Sequence, residues 1–410
     1  MKLVERPGYE WVMVAVAFLL GVFSFGLLGT VGVFLKPLAA EFGWSRGDLS
    51  LGYTVLTLST ALSAVFWGIM ADRYGTRHMS LIGVLAMALA LFLLSRVTSL
   101  PEYYAYHFLF GVLGHGVMSG PMVANVSLWF TRNVGLAIGL TVSGGAVGQG
   151  VVPFIARYLI NGYGWRNAYL YMAVGYILIA LPIALLVRDS PRRLERHATA
   201  APKMRDGSEF PLPPTAVVAW ISAAVVFCCI AMSVPVVHIV PLLTDKGMAP
   251  EQAVTVLLTL MVAGTAGRIF GGKLADMIGP LQAYASMSFG QTVLIFLFPL
   301  IDNVFGTYVL AAAFGVFFSA DMAAFLVCVR SMVPANVMAR SISVVAMFGW
   351  IGMGLGGWQA GAAFDWTGNY ILSFANGSIA GIVNLTILGL FALHIQRGVR
   401  ARDVKLAAAE

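Results

Sequence analysis

Apolar runs of roughly twenty residues or more recur along almost the whole chain. Each run is long enough to cross a hydrocarbon core about 30 Å thick as an α-helix. Inside lipid, a chain must satisfy its backbone hydrogen bonds internally, so these runs predict membrane-spanning helices. Only 10% of the 410 residues are charged, against about 25% in soluble domains, which excludes a soluble globule. We count twelve runs, near 11–36, 47–70, 79–98, 102–130, 134–160, 167–187, 215–243, 251–274, 281–301, 305–329, 337–363 and 370–395.

One charged, proline-containing segment interrupts the apolar pattern. It is "RDSPRRLERHATAAPKMRDGSEFPLPP", residues 188–214, and it predicts a cytoplasmic linker. The linker separates an N-terminal six-helix bundle, residues 1–187, from a C-terminal six-helix bundle, residues 215–395. Residues 396–410 are expected to form a cytoplasmic tail.

The basic residues follow membrane topology. If the N-terminus is placed in the cytoplasm, 18 of the 25 lysines and arginines lie on the inner side, and Arg268 lies within a span. Only six lie on the outer side: Lys36, Arg46, Arg96, Arg157, Arg166 and Lys246. This asymmetry predicts that both termini are cytoplasmic. The net charge of +7 therefore gives no reason to expect nucleic acid as a partner.

The two halves repeat each other. "GIMADRYG" at 68–75 aligns with "GKLADMIG" at 272–279, an offset of 204 residues. "FGV" at 110–112 aligns with "FGV" at 314–316 at the same offset. We interpret the chain as a tandem duplication, which predicts two pseudo-symmetric bundles with a binding site between them.

The segment "GIMADRYGTR" resembles the signature of the major facilitator superfamily, in the loop between its second and third helices. The residues of this motif and its second-half echo are Gly68, Asp72, Arg73, Gly75, Arg77 and Asp276. "EFGWSRGDLS", "WFTRNVGLAIGL", "GYGWRNAYL" and "PVVHIVPLLTDKG" resemble bacterial members of the monocarboxylate porter and oxalate:formate antiporter families. The resemblance implies an all-α membrane protein of twelve helices in the inner membrane of a bacterium.

The loop motif has a physical interpretation of its own. Asp72 ends one helix and can accept hydrogen bonds from the start of the next, while Arg73 and Arg77 stay at the anionic lipid surface. Gly68 and Gly75 are expected to allow close helix approach and a tight turn. The charges of the motif would then stabilise one closed conformation. The alternative is that they only set the membrane topology.

Four ionisable residues lie well inside the spans: His115, His238, Arg268 and Asp321. Such residues cost about 2.5–3.5 kcal/mol at mid-helix and usually face an internal cavity. Each is therefore a candidate for substrate or proton binding.

Arg268 is the leading substrate-binding candidate. A guanidinium is permanently charged and matches a carboxylate through two parallel hydrogen bonds. Four glycines beside it are expected to leave space for a cavity: Gly264, Gly267, Gly271 and Gly272. In the monocarboxylate porters, the arginine at the matching place in the eighth helix binds the substrate carboxylate. The alternative is that Arg268 pairs structurally or snorkels to the membrane surface.

The chain departs from its apparent relatives at other charged positions. An aspartate of the animal carriers is replaced by Gly264 and a first-helix lysine by Gly29, and the eleventh helix lacks the lysine of the oxalate:formate exchangers. A single cation in the cavity favours a monoanion over a dianion. Asp321 and His115 then become the candidate proton carriers, with a fixed Arg268–Asp321 ion pair or a packing histidine as the alternatives.

The other candidates are polar residues with weaker signals. Further substrate-binding candidates, each of which has simple helix packing as its alternative, are Tyr53, Asn125, Gln149 and Ser319. His238, between two prolines, is either part of an outer gate or structural, and Asp245 is expected to cap its helix locally.

These features together predict a secondary transporter rather than an enzyme. The three cysteines lie in apolar runs and no metal-ligand spacing occurs, so we expect no cofactor and no metal. The predicted function is proton-coupled symport of a monocarboxylate such as lactate or pyruvate by alternating access. The alternatives are a carboxylate exchanger and, with less support, a drug:proton antiporter. The expected partners are the organic acid, protons and lipid, and the chain is expected to act as a monomer.

Overall fold

The computed structural model describes residues 8–130, 134–190 and 210–407. Within these ranges the chain forms twelve helices. They are α1 (Tyr9–Phe42), α2 (Arg46–Tyr74), α3 (Thr76–Leu94), α4 (Leu100–Trp129), α5 (134–163), α6 (165–185), α7 (Pro214–Asp245), α8 (Pro250–Ile278), α9 (Pro280–Ile295), α10 (Val304–Met332), α11 (Ala335–Thr367) and α12 (Ile371–Ala407). The predicted all-α, twelve-helix architecture is confirmed.

The membrane-spanning character of the helices also agrees with the sequence. In the described part of the chain, nine helices are long and apolar enough to cross a membrane; one of them, Leu136–Leu185, contains both α5 and α6, which separate where Gly164 leaves helical geometry. The structure differs from the expectation at the C-terminus. The predicted tail begins at residue 396, but α12 continues without a break to Ala407.

Local sequence explains where several helices begin and end. Proline, whose missing N–H costs nothing in the first turn of a helix, begins α7, α8 and α9 as Pro214, Pro250 and Pro280. Between α2 and α3, Gly75 has φ +95°, and between α8 and α9, Gly279 has φ +103°. Only glycine adopts this conformation readily, so the predicted tight turn at Gly75 is confirmed, and the second half repeats it at the offset of 204 residues.

The duplication also extends to helix packing. In each half, the first helix packs on the fifth, the second on the fourth and the third on the sixth. Gly111 of α4 lies against the backbone carbonyl of Leu56 in α2, and Gly315 of α10 lies against the carbonyl of Leu260 in α8. Both pairs are related by the offset of 204 residues. The repeat therefore preserves individual backbone contacts as well as the order of the helices.

These contacts predict a difference between two glycines of the C-terminal half. A Cβ at Gly315 would collide with the Leu260 carbonyl, whereas a Cβ at Gly272 would meet open space. We expect Gly315→Ala to destabilise the protein by about 1–3 kcal/mol, the usual cost of overpacking, and Gly272→Ala to have no measurable effect. Thermal unfolding of the two purified variants in detergent tests this; equal unfolding temperatures would contradict the contact.

Among the described residues, the two halves meet most extensively along three helix pairs: α2 with α11, α5 with α8, and α1 with α7. We call the end of the bundle where α6 leads into the linker the linker face, and the opposite end, where α1 ends and α2 begins, the distal face. At the distal face, the first turn of α2 packs on the last turns of α11, where Gly361 lies against the Arg46 carbonyl. Further into the bundle, Thr54 donates a hydrogen bond to the Gly354 carbonyl at 2.7 Å. The halves are therefore closed against each other at the distal face.

Candidate functional site

Arg268 lies at the contact between the two halves. Its Nη1 donates a hydrogen bond to the backbone carbonyl of Val142 on α5, in the other half, while its Nε has no partner. The residue is partly buried, and among the described residues no acidic side chain pairs with it. A single carbonyl leaves most of the five donors of a guanidinium unused, so this position is suited to an external anion.

The glycines around Arg268 do not have the predicted role. A Cβ on Gly264, Gly267 or Gly271 would collide with Ser319, Val316 or Ala320 of α10, and only Gly272 faces open space. The expectation that all four leave room for a cavity is therefore wrong. Three of them form a seam that brings the α8 and α10 backbones together, as small residues do between membrane helices.

His115 lies at mid-depth on α4, as the last residue of a π-helical turn that spans Phe110–His115. Its Nδ1 lies 2.7 Å from the Ser24 hydroxyl of α1, and its Nε2 is buried without a partner. The ring contacts Phe25 of α1 edge-on at 4.5 Å and Trp350 of α11 edge-on at 5.1 Å between centroids. The imidazole therefore lies where the halves meet, with one nitrogen available to a ligand.

Two of the four neutral candidates have buried polar atoms without a partner. The hydroxyls of Tyr53 and Ser319 are buried and unpaired. Tyr53 lies between the halves, where a Cβ on Gly357 of α11 would meet its ring, and the Ser319 hydroxyl lies against Gly264, one helical turn from Arg268. Gln149 is buried on α5.

Asn125 has a different role from the predicted one. Its amide nitrogen donates to the Arg188 carbonyl at 2.8 Å, and its amide oxygen accepts from the Ser190 N–H at 3.0 Å. Both ends of the amide are therefore engaged by the start of the linker, and substrate binding by Asn125 is not supported. Asn125 instead fixes the end of α6 against α4.

Asp321 lies inside the C-terminal half. It is fully buried, accepts a hydrogen bond from Ser288 of α9 at 2.9 Å, and lies 2.9 Å from the Cys228 thiol of α7. Asn384 of α12 in turn donates to the Ser288 hydroxyl at 2.8 Å. The residues at the equivalent N-terminal positions of Ser288, Asp321 and Asn384 are Val84, Val117 and Ala180, so this polar cluster is specific to the C-terminal half.

The structure does not bring Arg268 and Asp321 together. Arg268 is bonded to the N-terminal half, whereas Asp321 is bonded to α7 and α9. The fixed Arg268–Asp321 ion pair, the alternative interpretation of Asp321, is contradicted by this geometry. The reason is rotational: Asp321 and the residues that face α8, such as Val316 and Ala320, lie on different sides of α10.

A cluster of charges joins the halves at the distal face. Asp245 of α7 accepts from Arg46 Nη1 and Nη2 at 2.5 and 3.1 Å, and pairs with Lys36 Nζ at 2.7 Å. Asp365 of α11 accepts from the backbone N–H groups of Arg46 and Gly47 at 3.0 and 2.6 Å. The expectation that Asp245 caps its own helix is therefore wrong, because both its oxygens bind cations from the other half.

His238 is buried beneath this charge cluster. Arg46 Nη1 lies 2.8 Å from the Tyr370 hydroxyl, which lies 3.2 Å from His238 Nδ1, and His238 Nε2 lies 2.8 Å from the Gly357 carbonyl. A carbonyl only accepts, so Nε2 carries a proton and donates to it. His238 therefore joins α7 to α11 and to Tyr370 beneath the charge cluster.

The loop motif at the linker face is only partly described. The side chain of Asp72 lies outside the described residues. Arg73 is exposed and lies over the Tyr74 ring at 5.3 Å, and the first N–H of α3, from Thr76, is accepted by Asp189 at 2.7 Å. Arg77 is half-exposed and Asp276 is exposed near the end of α8.

Gly68 does not allow the close helix approach that the sequence suggested. A Cβ there would meet open space, as it would at its counterpart, Gly272. The prediction is wrong because α4 packs against α2 elsewhere, at residues such as Leu56 and Ser59.

The pairing of the charged residues in the distal cluster was not predicted from the sequence. A signal was present, because helix ends at this face carry Lys36, Arg46 and Arg157 in the first half and Asp245, Glu251 and Asp365 in the second. Opposite signs in the two halves indicate pairing across the interface, and Arg157 does pair with Glu251 at 3.0 Å. For the polar neighbours of Asp321, such as Ser288 and Asn384, no comparable signal exists.

Comparisons with known proteins agree with this architecture. A family model described as Major Facilitator Superfamily matches residues 17–357. Monocarboxylate transporter 13 of Bos taurus is 26% identical over 377 residues, which cover 90% of this chain and 85% of that protein. Monocarboxylate transporter 11 of Mus musculus is 26% identical over 387 residues, 90% of this chain and 84% of that protein.

The fold is similar to that of solved transporters. The crystal structure of a D-xylose-proton symporter has a TM-score of 0.75 at 14% identity and covers 93% of this chain, with 97% of its own length aligned. At that identity the likeness concerns the fold alone. Together the findings indicate a multi-pass membrane protein and point to a transporter rather than an enzyme.

Proposed function

Because this chain belongs to the Major Facilitator Superfamily, we propose that it moves a small organic monocarboxylate, such as lactate or pyruvate, together with a proton. Transport would proceed by alternating access, in which a site between the two halves opens first to one side of the membrane and then to the other. The names of its relatives, monocarboxylate transporters 13 and 11, support this substrate class.

The observation that carries the proposal is the environment of Arg268. It is a permanent charge between the halves whose protein partner is one backbone carbonyl. A cation in the membrane is costly unless something neutralises it, and here a bound carboxylate would do so through a bidentate pair. His115 Nε2 and the hydroxyls of Tyr53 and Ser319, which have no partner, would together with Gln149 supply further hydrogen bonds to the substrate.

We place the proton on Asp321, and His115 is the second candidate. Asp321 is fully buried and no cation pairs with it among the described residues. Burying an uncompensated carboxylate is expensive, whereas the protonated acid is neutral and can be hydrogen-bonded. A carboxyl in this environment therefore can gain and lose a proton between the two access states. Its helix, α10, packs on α8, so such a change can act on Arg268 through the glycine seam.

We further propose that the chain acts as a monomer in the bacterial inner membrane with both termini in the cytoplasm. The asymmetry of its basic residues supports this orientation. The distal face would then be the outer face, and the described conformation would be closed to the outside. The loop residues Gly68, Asp72, Arg73, Gly75, Arg77 and Asp276 would help to select between conformations at the inner face.

A carboxylate exchanger is a second candidate, and one observation favours it. An exchanger needs the arginine but no titrating partner, and Asp321 does not contact Arg268. In that case Asp321 would be a structural acid that remains protonated throughout the cycle.

Uptake of labelled lactate and a panel of short acids into proteoliposomes distinguishes the two functions. With an inwardly directed proton gradient and no internal substrate, a symporter is expected to accumulate the acid above its equilibrium level. An exchanger would take up label only into vesicles that are preloaded with another acid. Absence of carboxylate transport under both conditions would contradict the proposed substrate class.

A further inference from the structure

We propose that Lys36 and Arg46 form a second carboxylate-binding site at the distal entrance, and that Asp245 occupies this site when the halves are closed. When they separate, the incoming organic acid would take the place of the Asp245 carboxylate. This inference rests on the proposed function, because it names a second position on the route of the same substrate.

The geometry around Asp245 is that of a bound carboxylate. Its two oxygens accept from both terminal nitrogens of Arg46, at 2.5 and 3.1 Å, which is the bidentate arrangement of a guanidinium and an acid. Lys36 Nζ adds a third contact at 2.7 Å. The two cations come from α1 and α2 of the N-terminal half and the acid comes from α7 of the other half. The ligand and its site therefore separate whenever the halves do.

The Arg46 side chain is held in place by more than Asp245. Its guanidinium stacks on the Phe364 ring at 3.8 Å and donates to the Tyr370 hydroxyl at 2.8 Å. Both contacts are made by the C-terminal half, as is the one from Asp365 to the backbone N–H groups of Arg46 and Gly47. Separation of the halves therefore removes Asp245 from both Lys36 and Arg46, and Asp365 from the backbone N–H groups of Arg46 and Gly47. The two positive charges at the entrance then lose the acid that pairs with them.

The exposure of the three side chains is consistent with exchange of ligands. The Asp245 side chain is 30% exposed and that of Lys36 is 39% exposed, whereas that of Arg46 is 16% exposed. An anion that arrives from the distal side would therefore reach Lys36 first and then compete for the fork of Arg46. A small acid that wins this competition stabilises the open halves by its differential affinity for them, so the substrate itself would favour opening of the distal face.

Two variants distinguish this proposal from a latch, by which we mean an ion pair that only holds the two halves together. Arg46→Gln and Asp245→Asn both break the ion pair between the halves, but only Arg46→Gln removes the carboxylate-binding fork. Arg157→Gln breaks a different ion pair across the same face, that with Glu251, and is the control for loosening alone. If Arg46 and Asp245 form only a latch, the first two variants have the same phenotype.

The measurement is the distance across the distal face of the purified full-length protein. Spin labels on Gly162→Cys and Asp302→Cys, both at exposed positions, report opening while lactate is titrated, with the uncharged lactamide as the control ligand. We expect lactate to increase the open population in the unmodified background. We expect Asp245→Asn to lower the half-saturating lactate concentration about 10-fold, and Arg46→Gln to raise it about 10-fold or more, since one charge-assisted pair is gained or lost.

The outcomes distinguish this proposal from the proposed function. The opening caused by lactate should persist in Arg268→Ala, because Lys36 and Arg46 are unchanged. This variant removes only the proposed carboxylate site at Arg268, which we call the central site. Equal half-saturation for Arg46→Gln and Asp245→Asn, or equal responses to lactate and lactamide, would overturn the entrance site while leaving the central site intact. A lactate response without transport would instead retain the entrance site and contradict the symport function.

Discussion

Replacing Arg268 with alanine is expected to lower the catalytic efficiency (kcat/KM) of carboxylate transport by about 100-fold or more. The physical reason is the loss of a charge-assisted, two-pronged hydrogen bond in a region of low dielectric, where such pairs are worth several kcal/mol. Arg268→Lys keeps the charge but loses the planar fork, so we expect an intermediate loss of about 10-fold. Initial uptake rates of labelled lactate over a range of concentrations measure both values.

A second readout shows whether Arg268 acts on the ligand. A ligand that binds only the folded protein raises its unfolding temperature, so lactate should stabilise the unmodified protein and not Arg268→Ala. Arg330→Ala is the matched control, since Arg330 is an exposed arginine near the linker-face end of α10. Normal transport by both Arg268 variants would mean that the guanidinium only binds Val142 and holds the halves together.

Replacing Asp321 with asparagine is expected to remove proton-driven accumulation while leaving exchange of internal for external substrate in place. Asparagine has nearly the same shape and still accepts a hydrogen bond from Ser288, but it cannot take up or release a proton. We expect the stimulation of uptake by an inward proton gradient to fall to about the level without a gradient, since proton uptake at this group is the step that the gradient drives. Paired assays of gradient-driven uptake and of exchange, at several pH values, measure the two activities separately.

The control for Asp321 is Asp302→Asn. Asp302 is an acid of the same half, but its side chain is 86% exposed and pairs with Lys246 in the distal loop region. If Asp321→Asn still accumulates substrate as the control does, the proton is carried elsewhere, and His115→Ala becomes the variant to test. If the variant loses exchange as well, Asp321 has a structural role in the C-terminal bundle.

Much of the fold follows from patterns that are local in the sequence. Apolar runs of the required length predict the helices, because each helix satisfies its own backbone hydrogen bonds and needs no partner to do so. The offset of 204 residues predicts which elements correspond, and it remains valid down to the contacts of Gly111 and Gly315 with carbonyls of the neighbouring helix. The least accurate predictions concern helix ends, as at residue 396, where charged residues continue α12 instead of ending it.

Only part of the candidate site can be predicted from the sequence. The unusual cost of a charge in a membrane identifies Arg268, His115, His238 and Asp321 without any structure. The contacts between these residues cannot be predicted in this way, because successive residues of a helix point in directions that differ by about 100°. For this reason Gly264 and Gly267 face α10 where a cavity was expected, and Asp321 contacts Ser288 instead of Arg268.

The sequence by itself determined the number of helices, their pairing by duplication and the identity of the buried charges, because hydrophobic length and the cost of desolvation act on each segment separately. Only the tertiary structure decided which charges are satisfied. Asp245 binds Arg46, a residue 199 positions away, and Asp321 bonds to residues of α7 and α9. Arg268 alone of these charges is left with a single backbone carbonyl among the described residues. Charge satisfaction depends on contacts between helices that are distant in sequence, and no local pattern encodes them.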